Sequence, residues 1–487
     1  MNINSVLEML NKEYGVEIDG AYYEYVKEWL DWWEGKFAPF HVYKEKGDGG
    51  KIIARELYTM KMAKKVSEDW ASILLNEKTE IVFEDKDKAS SEFLQGKDGE
   101  GGVFGASDFW VCGNELIEKA FSSGTGAAVV RFLGMMANAE GEVISDEGAQ
   151  VAIDYIDALN IIPLTVRRRQ IIDVAFASEV YERGEKFVYV ETHILENGKY
   201  HIKNRYFKEE EGHLLPHELP EGMAEELTIP TSTPMFSIVS PNIVNNVSGN
   251  RGLGLSVYAN AIDQLKGVDL AFNNSCRDFK LGGKKVFLDR SLVRQDEHGN
   301  VLTPDDVAQQ LFMPMGDGDI DAEKKLIQEF NPSLRVAENK DGVQAHLDYL
   351  SFKVGLGTKH YQFNGDKIVT ATQYSGDKQE LVQNAAKHYI VVQRWLRSLV
   401  KAILWAGREV CGADANPDAV ITINFEDGYI IDKESERLRD LQEVREGLML
   451  PWEYRMKWRG ESEEEAKAAL ADARTDDEYM GFGGKTA

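Results

Sequence analysis

Cysteine is nearly missing. The chain has three in 487 residues, Cys112, Cys276 and Cys411, too few and too scattered for a disulfide framework or a zinc site. That usage fits synthesis in a reducing compartment, the cytoplasm. No apolar run reaches the roughly 18 residues of a membrane span. The opening stretch MNINSVLEMLNKEYG has no basic region leading into an apolar one, so no secretion signal is expected. Positive charge is also in deficit, with 56 basic against 82 acidic residues and a formal net charge of −26. A conventional nucleic-acid binder carries a basic face, so tight DNA binding is disfavoured while weak contact stays open.

Catalytic signatures are absent as well. SSGTGAAVVRF has the glycines of a phosphate loop, but no lysine follows Gly126, so the stretch reads as a turn into a strand. The nine histidines never take a metal-ligand spacing such as H-E-x-x-H, and His217 and His346 read as structural. No G-x-S-x-G elbow occurs. Asp317, Asp319 and Asp321 imitate the start of a calcium loop. The match fails at the sixth position, Ala322, and at the twelfth, Gln328, which leaves a solvated acidic turn. An enzyme that uses a metal on acidic residues such as Asp317 and Asp319 is the alternative reading.

What is present is a folded chain, 43% hydrophobic and 10% aromatic, with room for two or more domains and a large core. Tyr22, Tyr25, Val26, Trp29, Trp32 and Trp33 recur at helical spacing over a core or a subunit interface. RELYTMKMAKKVSEDWASILLNEK predicts a helix from Arg55, with Leu57, Met60, Val66, Trp70, Ile73 and Leu74 on one face. Residues 85–125, rich in Gly, Asp and Lys, predict exposed loops. Alternating segments on either side of Asn197-Gly198 predict a hairpin with a type I′ turn, and 162–182 is β-rich too. Arg167, Arg168 and Arg169 read as a solvated or salt-bridged triplet.

From Gly254 the pattern turns helical. Tyr258, Ile262, Leu265, Val268, Phe272, Cys276 and Phe279 form one stripe of a helix of about 26 residues, roughly 40 Å long. A strand at KKVFLD follows, then an irregular acidic stretch at 296–340 with ten acidic and four basic residues. A shorter helix covers 341–356, and another covers about 375–411 with Leu381, Ala385, Tyr389, Val392, Leu396, Leu399, Ile403 and Ala406 in step. AVITINFEDGYI reads as a strand. SERLRDLQEVREGLM and SEEEAKAALADA begin C-terminal helices on capping signals.

The order of SVYANAIDQLKGVDLAFNNSCRDFKLGGKKVFL, an acidic insertion, HLDYLSFKVGLGTKHYQFNGDKIVTATQ and a very long helix resembles the portal protein of tailed bacteriophages, in the branch of siphovirus-type phages of Gram-positive hosts. The most specific pieces are 256–281, FKVGLG at 352–357 and VTATQ at 369–373. The resemblance covers about 55–410, and the two ends match only in character.

It implies an α+β portal fold assembled as a cyclic oligomer, a ring usually of twelve copies at one capsid vertex. The implied parts are a β-rich wing (1–254), stem helices (255–281 and 341–356) and a clip (282–340). A tunnel loop (357–372), the long helix with a return to the wing (373–432), and a short helical crown with the C-terminal tail (433–487) complete it. Implied partners are double-stranded DNA in the tunnel, the terminase packaging motor, the head–tail connector, and the major capsid and scaffolding proteins. No cofactor, metal or membrane is implied. Gly357, Lys359, His360, Asn364 and Lys367 would face the DNA, and Asp305, Asp306, Asp317, Asp319 and Asp321 would dock partners on the clip.

The physical reading agrees with that layout. Gly355, Gly357 and Gly365 allow sharp bends, and sparse lysines in an acidic chain give sliding contact with phosphates. Lys359 as a plain solvated lysine is the alternative. A membrane-inserting ring would need an amphipathic hairpin that the Asn-rich stem does not supply.

Overall fold

The computed structural model describes residues 2–46, 51–84, 87–97, 99, 101–137, 141, 143–144, 148–220, 222–289, 312–315, 327–363, 371–425 and 433–470. Helix and sheet are both abundant, in an α+β arrangement. Helix α1 (Ile3–Tyr14) starts on Asn2, whose side chain accepts the Asn4 N–H, and ends where Gly15 turns left-handed. Helix α2 (Ala21–Glu34) buries Tyr22, Tyr23, Val26, Trp29 and Trp32, so the aromatic stripe is core, while Tyr25 is exposed. After the single turn α3 (Ala38–His41), an exposed hairpin pairs β1 (Val42–Lys46) with β2 (Ile52–Glu56).

Helix α4 (Met62–Leu74) begins at Met62, not at Arg55 as the apolar spacing predicts. The preceding N–H groups are taken elsewhere. Met60 N–H and the Thr59 hydroxyl donate to Asp269 at 2.8 and 2.9 Å, and Tyr58 N–H donates to Asn273 at 3.2 Å. Lys61 then breaks any helical run with a left-handed φ of 52°. Strand β3 (Glu80–Phe83) follows.

The expectation of exposed loops at 85–125 is wrong for the described residues. They hold α5 (Lys88–Gln95), α6 (Gly102–Ala106) and the largely buried α7 (Phe109–Ser123). The glycines here serve close packing. A Cβ on Gly124 would lie 2.6 Å from the Gly254 carbonyl oxygen, and one on Gly126 would meet Leu116 at 2.8 Å. So the turn into a strand is present, and its glycines are there because backbones touch.

The strands are β4 (Gly126–Leu133), β5 (Met136–Ala137), β6 (Val143–Ile144), β7 (Gln150–Asp157), β8 (Ile161–Arg167), β9 (Gln170–Glu182), β10 (Glu185–Glu196), β11 (Lys199–Glu210), β12 (His213–His217), β13 (Glu226–Ile229) and β14 (Phe236–Val239). β5 and β6 pair with each other, and the rest form an antiparallel meander β12-β11-β10-β9-β8 with β13 beside β11, and a smaller sheet β14-β4-β7. β10 and β11 turn at Asn197-Gly198, with φ 50° and 78°, the double positive φ that a type I′ turn requires. Arg168 and Arg169 form the exposed turn between β8 and β9.

The second half holds α8 (Ile262–Leu281), β15 (Lys285–Asp289), β16 (Phe312–Met315), β17 (Ile327–Phe330), α9 (Val336–Lys353), α10 (Ala371–Glu409), β18 (Ile421–Asn424), α11 (Lys433–Glu446) and α12 (Pro451–Arg459). α8 is shorter than predicted, because the chain up to Tyr258 is a turn. Its stripe is buried only in the first half, and Phe279 is exposed. Ser375 and Gly376 lie inside α10. β18 pairs with β3 and returns the chain to the N-terminal half. A further helix covers 463–470, where the Ser462 hydroxyl accepts the Glu465 N–H and Glu465 accepts the Ser462 N–H, the capping signal read in the sequence.

α10 packs along the sheet β14-β4-β7 and on α4 and α5 through Leu381, Ala385, His388, Val392, Leu396, Leu399, Ile403 and Ala406. His388 is buried against Trp70 and Phe121, with ring centroids 4.8 and 5.0 Å away, and its Nδ1 accepts the Asn242 N–H at 3.1 Å. Burial, with Lys387 adding repulsion, pushes its pKa down to about 3. The unfolded chain therefore takes up a proton below about pH 6.5 that the folded chain refuses. Stability from this group falls as pH drops from about 6.5 towards 3, by up to about 1.4 kcal/mol per pH unit. His388→Gln keeps an acceptor for Asn242 and flattens that slope in denaturation curves taken between about pH 7 and 4.

Candidate functional site

The stretch singled out by the sequence lies where α8, α9, α4 and α10 meet. α8 and α9 run antiparallel. At one end Arg335 grips Asp278 through two nitrogens at 3.2 and 2.9 Å, and Asn339 adds a bond at 2.8 Å. These bonds hold the Asp278 carboxyl below its usual range. Midway, Gly267 lets the helices approach: a Cβ there would fall 2.6 Å from the His346 ring. His346 is thus a packing residue, as the sequence suggested.

At the Asp278 end the pair opens into a small sheet. β15 is central, parallel to β16 and antiparallel to β17, and Lys284 pairs with Glu329 at 2.6 Å. Asp305, Asp306, Asp317, Asp319 and Asp321 lie outside the described residues. Among the described residues no group of three His, Cys, Asp or Glu side chains could hold a metal, and no helix is long and apolar enough to cross a membrane.

At the other end α9 stops on Gly355. Its φ of 81° and the Leu356 N–H bond to the Ser351 carbonyl at 3.0 Å form the glycine-terminated helix end, closed by buried Leu356. Asn384 of α10 donates to the Gly355 carbonyl at 3.0 Å. Gly357 is also left-handed, φ 85°, and buried. Lys359 is exposed. The side chain of His360 turns to α4, with Nε2 3.5 Å from Asp69 Oδ2, and the Tyr361 hydroxyl donates to the same oxygen at 2.8 Å. Asn364, Gly365 and Lys367 lie outside the described residues.

Sequence reading missed Asp69, Gln344 and Asn384. Asp69 is not on the apolar stripe read for its helix, and nothing local marks its partner 292 residues away. It also missed a buried α8 network, in which Asp269 binds His41 Nε2 at 3.0 Å besides Thr59 and Met60. A polar pair on the stripe, Asp269 and Asn273, was the available signal.

These residues hold helices and a loop in register. The family described as "Phage portal protein, SPP1 Gp6-like" matches residues 16–479, so this chain belongs to the phage portal proteins, in agreement with the branch its motifs resemble. It is a structural portal of the capsid, serving DNA packaging at the portal vertex of the virion. Such portals form oligomeric rings that DNA passes through and that meet the capsid and the terminase. The match lends nothing to the metal-dependent enzyme alternative. No curated protein matches the chain.

Proposed function

We propose that the chain closes into a ring of twelve, with residues 1–254 as wing, 255–281 and 341–356 as stem, 282–340 as clip and 357–372 as tunnel loop. The long helix and its return to the wing occupy 373–432, and the crown and tail 433–487. The observation that carries this reading is the antiparallel α8–α9 pair. It opens into a sheet at one end and leads at the other, through a glycine-closed turn, into the 39-residue α10.

Taken alone, the pair exposes Leu270, Phe279 and Leu281 on α8 and Tyr349 and Phe352 on α9. Neighbouring copies in a ring cover such surface, and a heterologous interface that closes on itself gives a cyclic oligomer. Gly357, Lys359, His360, Asn364 and Lys367 belong to the loop that meets DNA. The acidic clip, with Asp305, Asp306, Asp317, Asp319 and Asp321, docks the terminase motor and then the head–tail connector through charge steering. The major capsid and scaffolding proteins are further partners in this reading.

Native mass spectrometry of the purified chain tests the ring. Twelve copies of 54.8 kDa give a particle of about 658 kDa. A monomer at every concentration, even with capsid and scaffolding proteins present, would sink the reading. The double variant Lys359→Ala/Lys367→Ala is expected to weaken DNA retention in part-filled capsids and to make it less salt-sensitive. The log–log slope should fall by about one unit for each lysine–phosphate pairing that the substitutions remove.

A further inference from the structure

We propose that Asp69 is the positioning residue for the tunnel loop, fixing its root, residues 354–363, to helix α4. The proposal rests on the tunnel-loop reading above. α4 is a buried support: Val66, Trp70, Ala71 and Leu74 have no exposed surface, and the helix packs on α2, α7 and α10. Two successive side chains on it reach the same segment. The Trp70 indole N–H donates to the Val354 carbonyl at 3.3 Å, and Asp69 Oδ2 accepts the Tyr361 hydroxyl at 2.8 Å with His360 Nε2 at 3.5 Å.

The other carboxylate oxygen of Asp69 takes Lys65 Nζ at 2.6 Å, one helical turn earlier. That lysine neutralises the anchor locally. Burial raises the Asp69 pKa, and the bonds from His360, Lys65 and Tyr361 more than reverse this, leaving it below its ordinary value and the carboxylate charged. The Tyr361 main chain is pinned from α9 as well. Gln344 Nε2 donates to its carbonyl at 2.8 Å and to Asp348 at 2.8 Å, and Gln344 Oε1 accepts the Phe363 N–H at 3.4 Å.

Residues 354–363 carry little secondary structure of their own, so these side-chain bonds set where the loop leaves the body and in which direction. A hydroxyl donating to a partly buried carboxylate is worth more than a neutral pair. The arrangement gives a loop with a fixed root.

The test uses assembled rings of the full chain with Tyr361→Phe, which removes only the O–H and keeps the ring, and with Asp69→Asn. Glu68→Gln, one residue away on the same helix, is the control. Three readouts are taken: ring mass and melting temperature, amide exchange of the 354–363 peptide, and DNA packaging rate into capsids. The expected result is unchanged ring mass, melting within a few degrees of the parent, and exchange about tenfold faster at 354–363 in both variants. Packaging should be slower in both, with the control like the parent. Exchange at 354–363 that stays at the parent rate in both variants overturns the proposal, whatever packaging does. Faster exchange with undiminished packaging leaves the anchor standing and overturns the tunnel-loop reading instead.

Discussion

Arg131→Met is expected to lower unfolding free energy by roughly 3–5 kcal/mol at neutral pH, the cost of leaving a buried charge without its partner. Arg131 bridges two sheets. Its guanidinium bonds Glu191 on β10 and reaches Asp154 on β7 at 2.7 Å. Glu191 is 1% exposed, with His193 Nε2 on its other oxygen and the Tyr189 hydroxyl at 3.1 Å.

Burial alone would raise the Glu191 pKa. The Arg131 charge and the hydrogen bonds from Arg131 and His193 overturn that and hold the carboxyl far below the usual range. A depressed carboxyl stabilises above the unfolded value near 4.5, and that stabilisation is lost as pH falls. Without Arg131 the folded pKa rises, so the deficit of the variant is largest at pH 7 and narrows towards about pH 4. Adding Glu191→Gln removes the unpaired charge, and the double variant should recover much of the loss. Denaturant titrations of all four proteins measure the coupling. A loss under about 1 kcal/mol at pH 7 for the single variant would show that water reaches Glu191.

Trp70→Ala should cost a similar amount, about 3–5 kcal/mol, for a different reason. Trp70 has no exposed surface and touches Phe121 of α7 and His388 of α10. Truncation opens a cavity at the junction of three helices and leaves the Val354 carbonyl without its donor. Trp70→Phe keeps most of the volume but loses the N–H, so roughly 1–2 kcal/mol is expected. Denaturation midpoints rank the three proteins. Equal stability of Trp70→Ala and the parent would mean that the core closes over the gap.

The readings that succeeded rest on local chemistry. The stripe Tyr22, Val26, Trp29, Trp32 and the long series from Leu381 to Ala406 repeat at helical period and bury that face. Asn197-Gly198 specified its turn because few other pairs tolerate two positive φ values. The order of helix, insertion, helix, glycine turn and long helix was legible because each piece carries its own period and punctuation.

The readings that failed depend on distant partners. Gly124 and Gly126 look like loop residues until Gly254 and Leu116 are brought against them. Leu57 and Met60 keep helical spacing, yet their segment is drawn off by Asp269 and Asn273 more than 200 residues later. Leu57 itself donates its N–H to the His41 carbonyl at 2.8 Å.

By itself, then, the sequence determined α2, most of α8, α9 and α10, the hairpin and the family, because periodicity, turn chemistry and motif order act within a few tens of residues. Only the tertiary structure decided where α4 begins, which glycines are packing sites and what Asp69 holds. Each of those depends on a hydrogen bond or a close backbone approach between segments far apart in the chain, and no local pattern encodes the partner.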